Sequence, residues 1–259
     1  MIALIALLAV LQPPAATELK VCADPNNLPF SNDRREGFEN RIVERMSADL
    51  GMSVHYLWRA QRRGNVRETL NSGLCDVVPG VVSTLEMLAT TRPYYRSTYM
   101  FVSRASDHLH IESLDDPRLR GLKIGVQLIG DDGANTPPAE ALARRGITRN
   151  VRGYMVYGDY AKPNPQASII EAVARGEIDV ALAWGPVANF FSRHAAEPME
   201  VVAITPWLDG PALPMAFDIS MGVRKDDPAR LKQLDRWIRS NGPEISRILL
   251  SFGFSGARR

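Results

Sequence analysis

Cysteine is scarce in this chain of 259 residues: there are two, Cys22 and Cys75. That excludes a cysteine metal cluster and a CxxC redox motif. An excess of one charge is missing as well. Lys+Arg is 31 against Asp+Glu 29, a formal charge of +2, so no basic footprint for nucleic acid is expected. The four histidines, His55, His108, His110 and His194, make no HExxH or other metal spacing. There is no GxSxG nucleophile motif and no P-loop. The common metal, nucleotide and acyl-hydrolase chemistries lack their residues. The chain is read as a binding protein rather than an enzyme, with no cofactor and no metal.

Long apolar runs are absent after the first residues. Ile2 to Leu11 is apolar throughout, but a membrane helix needs about 20 such residues. Gln12-Pro13-Pro14-Ala15-Ala16 follows, a helix break and small-residue cleavage site. Residues 1–16 are therefore read as a signal peptide, and the mature chain as periplasmic and without a membrane span. Export favours a disulfide between Cys22 and Cys75; the alternative is two buried free thiols. At 45% hydrophobic and 23% charged, the chain can bury one large core or two modest ones.

What is present reads as α/β. Glu18 to Ala23 is a strand. Asp24 to Asn32, with two prolines and three asparagines, is a loop. Phe38, Ile42, Met46 and Leu50 repeat every fourth residue as one helix face, which Gly51 ends. Val54 to Trp58 alternates like a strand. Asn65 is expected to cap a helix through Leu70, with Glu68 at the capping-box position. Leu70-x-x-Gly73-x-x-Asp76-Val77 then recurs as Val173-x-x-Gly176-x-x-Asp179-Val180. In the second copy Asn164-Pro165 is expected to start the helix. Two helix–glycine–strand units far apart suggest two lobes built alike. The chain leaves lobe one near residue 103 and returns near 213, giving lobe one as 17–103 plus 214–259 and lobe two as 104–213. Both crossings read as extended strands able to act as a hinge.

Gly73-x-x-Asp76-Val77 followed by Thr91-x-Pro93-Tyr94 resembles the type II periplasmic solute-binding proteins of the polar amino-acid class (family 3). That resemblance implies two lobes, each a central mixed sheet flanked by helices, joined by two hinge strands. Val21 to Asn32, Glu36 to Asn40, Gln61 to Gly64 and Thr90 to Ser97 are similar to a narrower group. These are the solute-binding-like accessory proteins of PQQ-dependent (quinoprotein) methanol dehydrogenases, the MxaJ/XoxJ type. This second resemblance implies a periplasmic helper that binds such a dehydrogenase, a segment of it, or a ligand in the inter-lobe cleft.

Amino-acid binders of the class hold the ligand carboxylate with an arginine, whose fork matches two oxygens. Met87 stands where that arginine is expected, after Thr84. Trp184-Gly185-Pro186 replaces the acid that holds the ammonium. Other candidates come from the residues themselves. Asp24, Asn26, Asn27, Phe30 and Asn32 lie at a strand's carboxyl end, where α/β proteins bind ligands; a self-bonded turn is the equal alternative. Phe38 follows the same region on the first helix. Trp58, Gln61, Arg62 and Arg63 precede a helix and suit an anion or a solvated surface. Arg92, Tyr94, Tyr95 and Arg96 mix aromatic and basic groups as interface hot spots do, with some tyrosines structural. Asp131 and Asp132 form an acidic turn, too few oxygens for calcium. Trp184 is placed to close over a ligand. The alternative reading is the binding component of an ABC transporter for a small polar solute, and a third is a dehydratase-like enzyme of the same fold.

Overall fold

The computed structural model of the chain describes residues 17–62, 64–129, 134–155 and 160–254. The signal-peptide assignment, Arg63, Asp131 and Asp132 lie outside them. The order of the main elements is β1 (Thr17–Ala23), α1 (Phe38–Asp49), β2 (Met52–Trp58), α2 (Asn65–Glu68), β3 (Val78–Val82) and β4 (Tyr95–Arg104). Then come β5 (Ile124–Ile129), α3 (Pro137–Arg144), β6 (Val151–Met155), α4 (Ser168–Ala174), β7 (Val180–Trp184), α5 (Gly185–Arg193) and β8 (Met199–Ala203). The chain closes with β9 (Ala216–Val223), α6 (Pro228–Ser240) and α7 (Gly242–Ser251).

β4 makes the crossing. Its first residues, Tyr95 to Thr98, pair antiparallel with β9. From Tyr99 on, it lies between β7 and β8. One strand thus changes partners midway and belongs to two sheets. On one side β1 pairs parallel with β2 and bridges Val77 from Val21, and β9 joins β3. On the other, β5 stands between β6 and β7, parallel to both. Helices cover these sheets, and the result is a mixed α/β fold of two lobes. One core gathers Leu19, Phe38, Ile42, Met46, Trp237 and Ile248. The other gathers Phe101, Leu114, Ile124, Leu142 and Leu182.

The recurring unit is the same device twice. Asp76 accepts the Lys20 N–H at 2.9 Å and returns its own N–H to the Lys20 carbonyl at 2.7 Å. Asp179 does so with Lys123 at 2.7 and 2.8 Å. The aspartate therefore splices the incoming strand onto its parallel neighbour in each lobe. Gly176 ends α4 and Gly73 closes the turn that follows α2, at φ +69° and +75°, the left-handed region that favours glycine. An arginine completes each copy from the crossing strands, which the pattern did not announce. Arg224 donates to the Cys75 carbonyl at 2.7 Å. Arg104 donates to those of Val173 and Ile178 at 2.6 and 3.2 Å.

Two caps differ from expectation. α2 begins after Gly64, at φ +86°, and Asn65 is already helical; its side chain accepts from Thr69 instead. Asn164 precedes a 3-10 turn, Pro165–Ala167, with no side-chain cap. Asn164 instead uses its backbone N–H on Asn26.

Cys22 and Cys75 form a disulfide, with Cα atoms 5.7 Å apart and a sequence separation of 53. It ties β1 to the segment leading into β3. A loop of this length is worth about 4 kcal/mol in the chain-entropy treatment. Replacing both cysteines with alanine should lower stability by about that amount. Chemical denaturation with and without reductant checks it: wild type should fall to the level of the variant only when reduced.

Candidate functional site

The carboxyl ends of the strands face a cavity of about 360 Å³ between the lobes. Phe30, Glu39, Val82, Tyr95, Phe217 and Ile219 line it from one side, and Tyr99, Gln127, Ile129, Trp184 and Val187 from the other. Apart from Phe30, which lies in a turn, these side chains are projected by strands or helices of the two cores. Tyr95, Phe217 and Ile219 come from the paired strands β4 and β9, and Trp184 ends β7 beside Tyr99.

The loop from Asp24 to Asn32 spans the gap. The Asp24 carboxylate is buried and accepts N–H groups of Asn26 at 2.9 Å and Gln61 at 2.8 Å, and the Tyr160 hydroxyl. Asn26 donates to the Lys162 carbonyl at 2.8 Å and accepts from Asn164 N–H at 3.3 Å. Asn27 starts a buried chain: Gln166 Nε2 donates to Asn27 Oδ1 at 2.7 Å, and Gln127 Nε2 to Gln166 Oε1 at 3.0 Å. The Trp184 N–H then donates to Gln127 Oε1 at 2.7 Å. Leu28 is buried among apolar residues of the second lobe. The polar groups of this loop thus bond partly within it and partly across the cleft, while Asn27 and Phe30 also line the cavity. The Pro29 and Phe30 carbonyls also accept the first N–H groups of α1, so that helix end is capped by protein.

Glu39 is the ionisable group of the cavity. It stands in the first turn of α1, 3% exposed, with the Tyr94 hydroxyl as hydrogen-bond partner. A helix N-terminus favours a charged carboxylate by about 0.3–1 kcal/mol; loss of water disfavours it by more. Burial wins and pushes its pKa up to about 8. Tyr94 in turn accepts the Gly80 N–H at 3.2 Å. Gly80 has φ +75°, and a Cβ there would lie 2.1 Å from Glu39 Oε1. The glycine exists to let this carboxyl stay.

Of the residues singled out from the sequence, Asn27, Phe30, Gln61, Tyr95 and Trp184 line the cavity. Asp24, Asn26 and Tyr94 support it from behind. Others lie elsewhere, each for a physical reason. Phe38 is fully buried against Phe30, Tyr95, Phe252 and Phe254, so it is core. Trp58 stacks on Tyr56 at 4.5 Å. Asn32 bonds Glu36 within its own turn. Arg92 is exposed and gives its N–H to Asp235. Arg96 points away from Tyr95, pairing with Asp218 at 3.1 Å under Trp207. Thr84 is exposed and outside the cavity lining.

Arg62 lies over the Tyr160 ring and borders a second groove with Arg67, Val81, Leu85 and Met87. That groove joins the cavity at Gln61, Gly80 and Val82. Glu39, Gln127, Gln166 and Phe217 were not foreseen. Glu39 alone left a signal, a carboxyl four residues before Val43 on the buried face of α1.

The fold and its inter-lobe cleft define a type II periplasmic binding protein. The chain belongs to the bacterial extracellular solute-binding proteins, family 3, matching that family over residues 19–243. It is 31% identical to Protein MoxJ of Methylorubrum extorquens AM1, over 93% of this chain and 82% of that protein. The crystal structure of periplasmic binding protein XoxJ from Methylobacterium extorquens AM1 matches with a TM-score of 0.75 at 31% identity, covering 93% of this chain and 100% of that one. That of MxaJ from Methlophaga aminisulfidivorans MPT gives 0.77 at 26%, covering 91% and 98%. Ancestral amino-acid-binding proteins share the fold at 20% identity.

Two outcomes are expected. An acid whose folded pKa is raised contributes stability that is full below its unfolded pKa, 4.5, and lost as pH rises through about 8. Glu39→Gln mimics the protonated form, so it should match wild type near the lower limit and exceed it above the upper one. At 1.4 kcal/mol per pKa unit the gain is about 5 kcal/mol at most. Urea denaturation across that range measures it; parallel curves for the two proteins would refute the assignment. Second, Asn26→Ala with Gln166→Ala removes the cross-cleft bonds of Asn26 and Asn27 and leaves that of Tyr160 to Asp24. The radius of gyration from solution X-ray scattering should rise, and an unchanged value would show that other contacts hold the lobes together.

Proposed function

We propose that this chain is a periplasmic accessory protein of a PQQ-dependent alcohol (methanol) dehydrogenase. It recognises the enzyme, or a segment of it, at the cleft and assists its maturation or activity. Its leader is removed on export, and its lobes are residues 17–103 with 214–259, and 104–213. The observation that carries this reading is the composition of the cleft. None of the described residues lining it is Lys, Arg or His, so the carboxylate of an amino acid has no counter-ion there. Likeness to MoxJ and XoxJ over nearly the whole chain supplies the dehydrogenase side. The partition into lobes is supported by the change of partners along β4 at Thr98 and Tyr99.

The open groove beside the cavity suits a macromolecular partner better than a small polar solute. Met87 is 50% exposed there, beside Arg62 and Arg67, and basic rims with apolar floors are common in protein interfaces. Affinity capture from periplasm with the tagged chain should recover the dehydrogenase, and deleting the gene should lower methanol oxidation. Capture of no dehydrogenase, with unchanged dehydrogenase activity in the deletion strain, contradicts the proposal.

A further inference from the structure

The cavity holds a constellation that recognition of a dehydrogenase does not require. Five aromatic rings line it in two arcs. Tyr99, Trp184 and Phe217 form one, edge to face, with centroids 5.1 and 6.0 Å apart. Phe30 and Tyr95 form the other, both packed on Phe38 at 5.4 and 5.6 Å. Glu39, next to Phe38 on α1, opens into the same space. No basic side chain stands among the described lining residues.

These features converge on one ligand chemistry. The face of an aromatic ring carries negative potential and attracts a cation, more strongly where water is excluded. A buried carboxyl supplies the full countercharge. Apolar walls reject strongly hydrated metal ions and tolerate a cation whose charge is spread over alkyl groups. A volume of about 360 Å³ is that of a small-molecule site. The missing arginine excludes a ligand with a carboxylate. We infer that the cavity binds a small organic monocation without a carboxylate, such as a quaternary ammonium compound, with Glu39 as counter-ion and Tyr99, Trp184 and Phe217 around the alkyl groups. This goes beyond the accessory role and stands on the cavity alone, so either can fail without the other.

Glu39 holds a proton at neutral pH, and the cation must displace it. Binding therefore releases a proton and tightens as pH rises. The titratable groups facing Glu39 are Tyr94, Tyr95 and Tyr56. Burial raises all three above the usual phenol range, so they stay neutral and leave the pH dependence to Glu39.

Titration calorimetry on the mature chain tests this with choline, its uncharged carbon isostere 3,3-dimethylbutan-1-ol, and the larger benzyltrimethylammonium. At least one cation should bind about tenfold tighter than the neutral alcohol near pH 8. Its affinity should fall about tenfold or more towards pH 6. Glu39→Gln should abolish both the preference and the pH dependence while keeping the native circular dichroism spectrum. Trp184→Leu should weaken the cation and spare the fold, as judged by its melting temperature. Equal binding of the neutral alcohol, an affinity independent of pH, or no binding of either cation at millimolar concentration overturns the inference.

Discussion

A buried relay of amides holds this structure in register. Asn27, Gln166 and Gln127 are each at least nine-tenths buried; Gln166 bonds Asn27 across the gap between lobes, and Gln127 bonds Gln166 within the second lobe. A primary amide left without partners in such surroundings costs roughly 1–3 kcal/mol. The arrangement is stable only while both lobes contribute. It also ends on the Trp184 backbone, so the same bonds that join the lobes place the indole over the cavity. The Asp24 carboxylate, fastened to Gln61 and Tyr160, anchors the loop from which Asn27 projects.

The described residues lining the cleft include no Lys, Arg or His. Trp184 lines the cavity and Met87 the groove beside it. Among the described lining residues stands one carboxyl, Glu39, for which the fold makes room by placing a glycine at residue 80. A carboxyl costly to ionise in isolation persists where something compensates it. Here Tyr94 offers a hydrogen bond and the cavity offers room for a positive group. Burial and the hydrogen bond act in opposite directions on this carboxyl, and burial is the larger.

Much of the architecture was legible in the chain. The helix–glycine–aspartate repeat marked both parallel junctions, because a left-handed glycine and a backbone-bonding aspartate each leave one residue type. The face of α1 was legible from Phe38, Ile42 and Met46, since burial on a helix follows its period. Caps were less so. Asn65 has a capping residue's chemistry, yet Gly64 takes the position because the backbone there is left-handed. The site was read in part. Trp184 and Phe30 lie at strand ends and reach the cavity. Arg92 and Arg96 share a stretch with Tyr95, but Arg92 is exposed and the Arg96 side chain pairs with Asp218. Composition of a segment does not say which side of a strand each residue takes.

By itself the sequence determined the class of fold and the two parallel junctions, since these depend on local backbone chemistry. Only the tertiary structure decided that Asn26 and Asn27 bond to the opposite lobe. It alone made Glu39 a neutral acid at neutral pH. Hydrogen-bond partners more than a hundred residues away, and the loss of water around a carboxyl, are properties of the packed chain. No pattern of neighbours along the sequence encodes them.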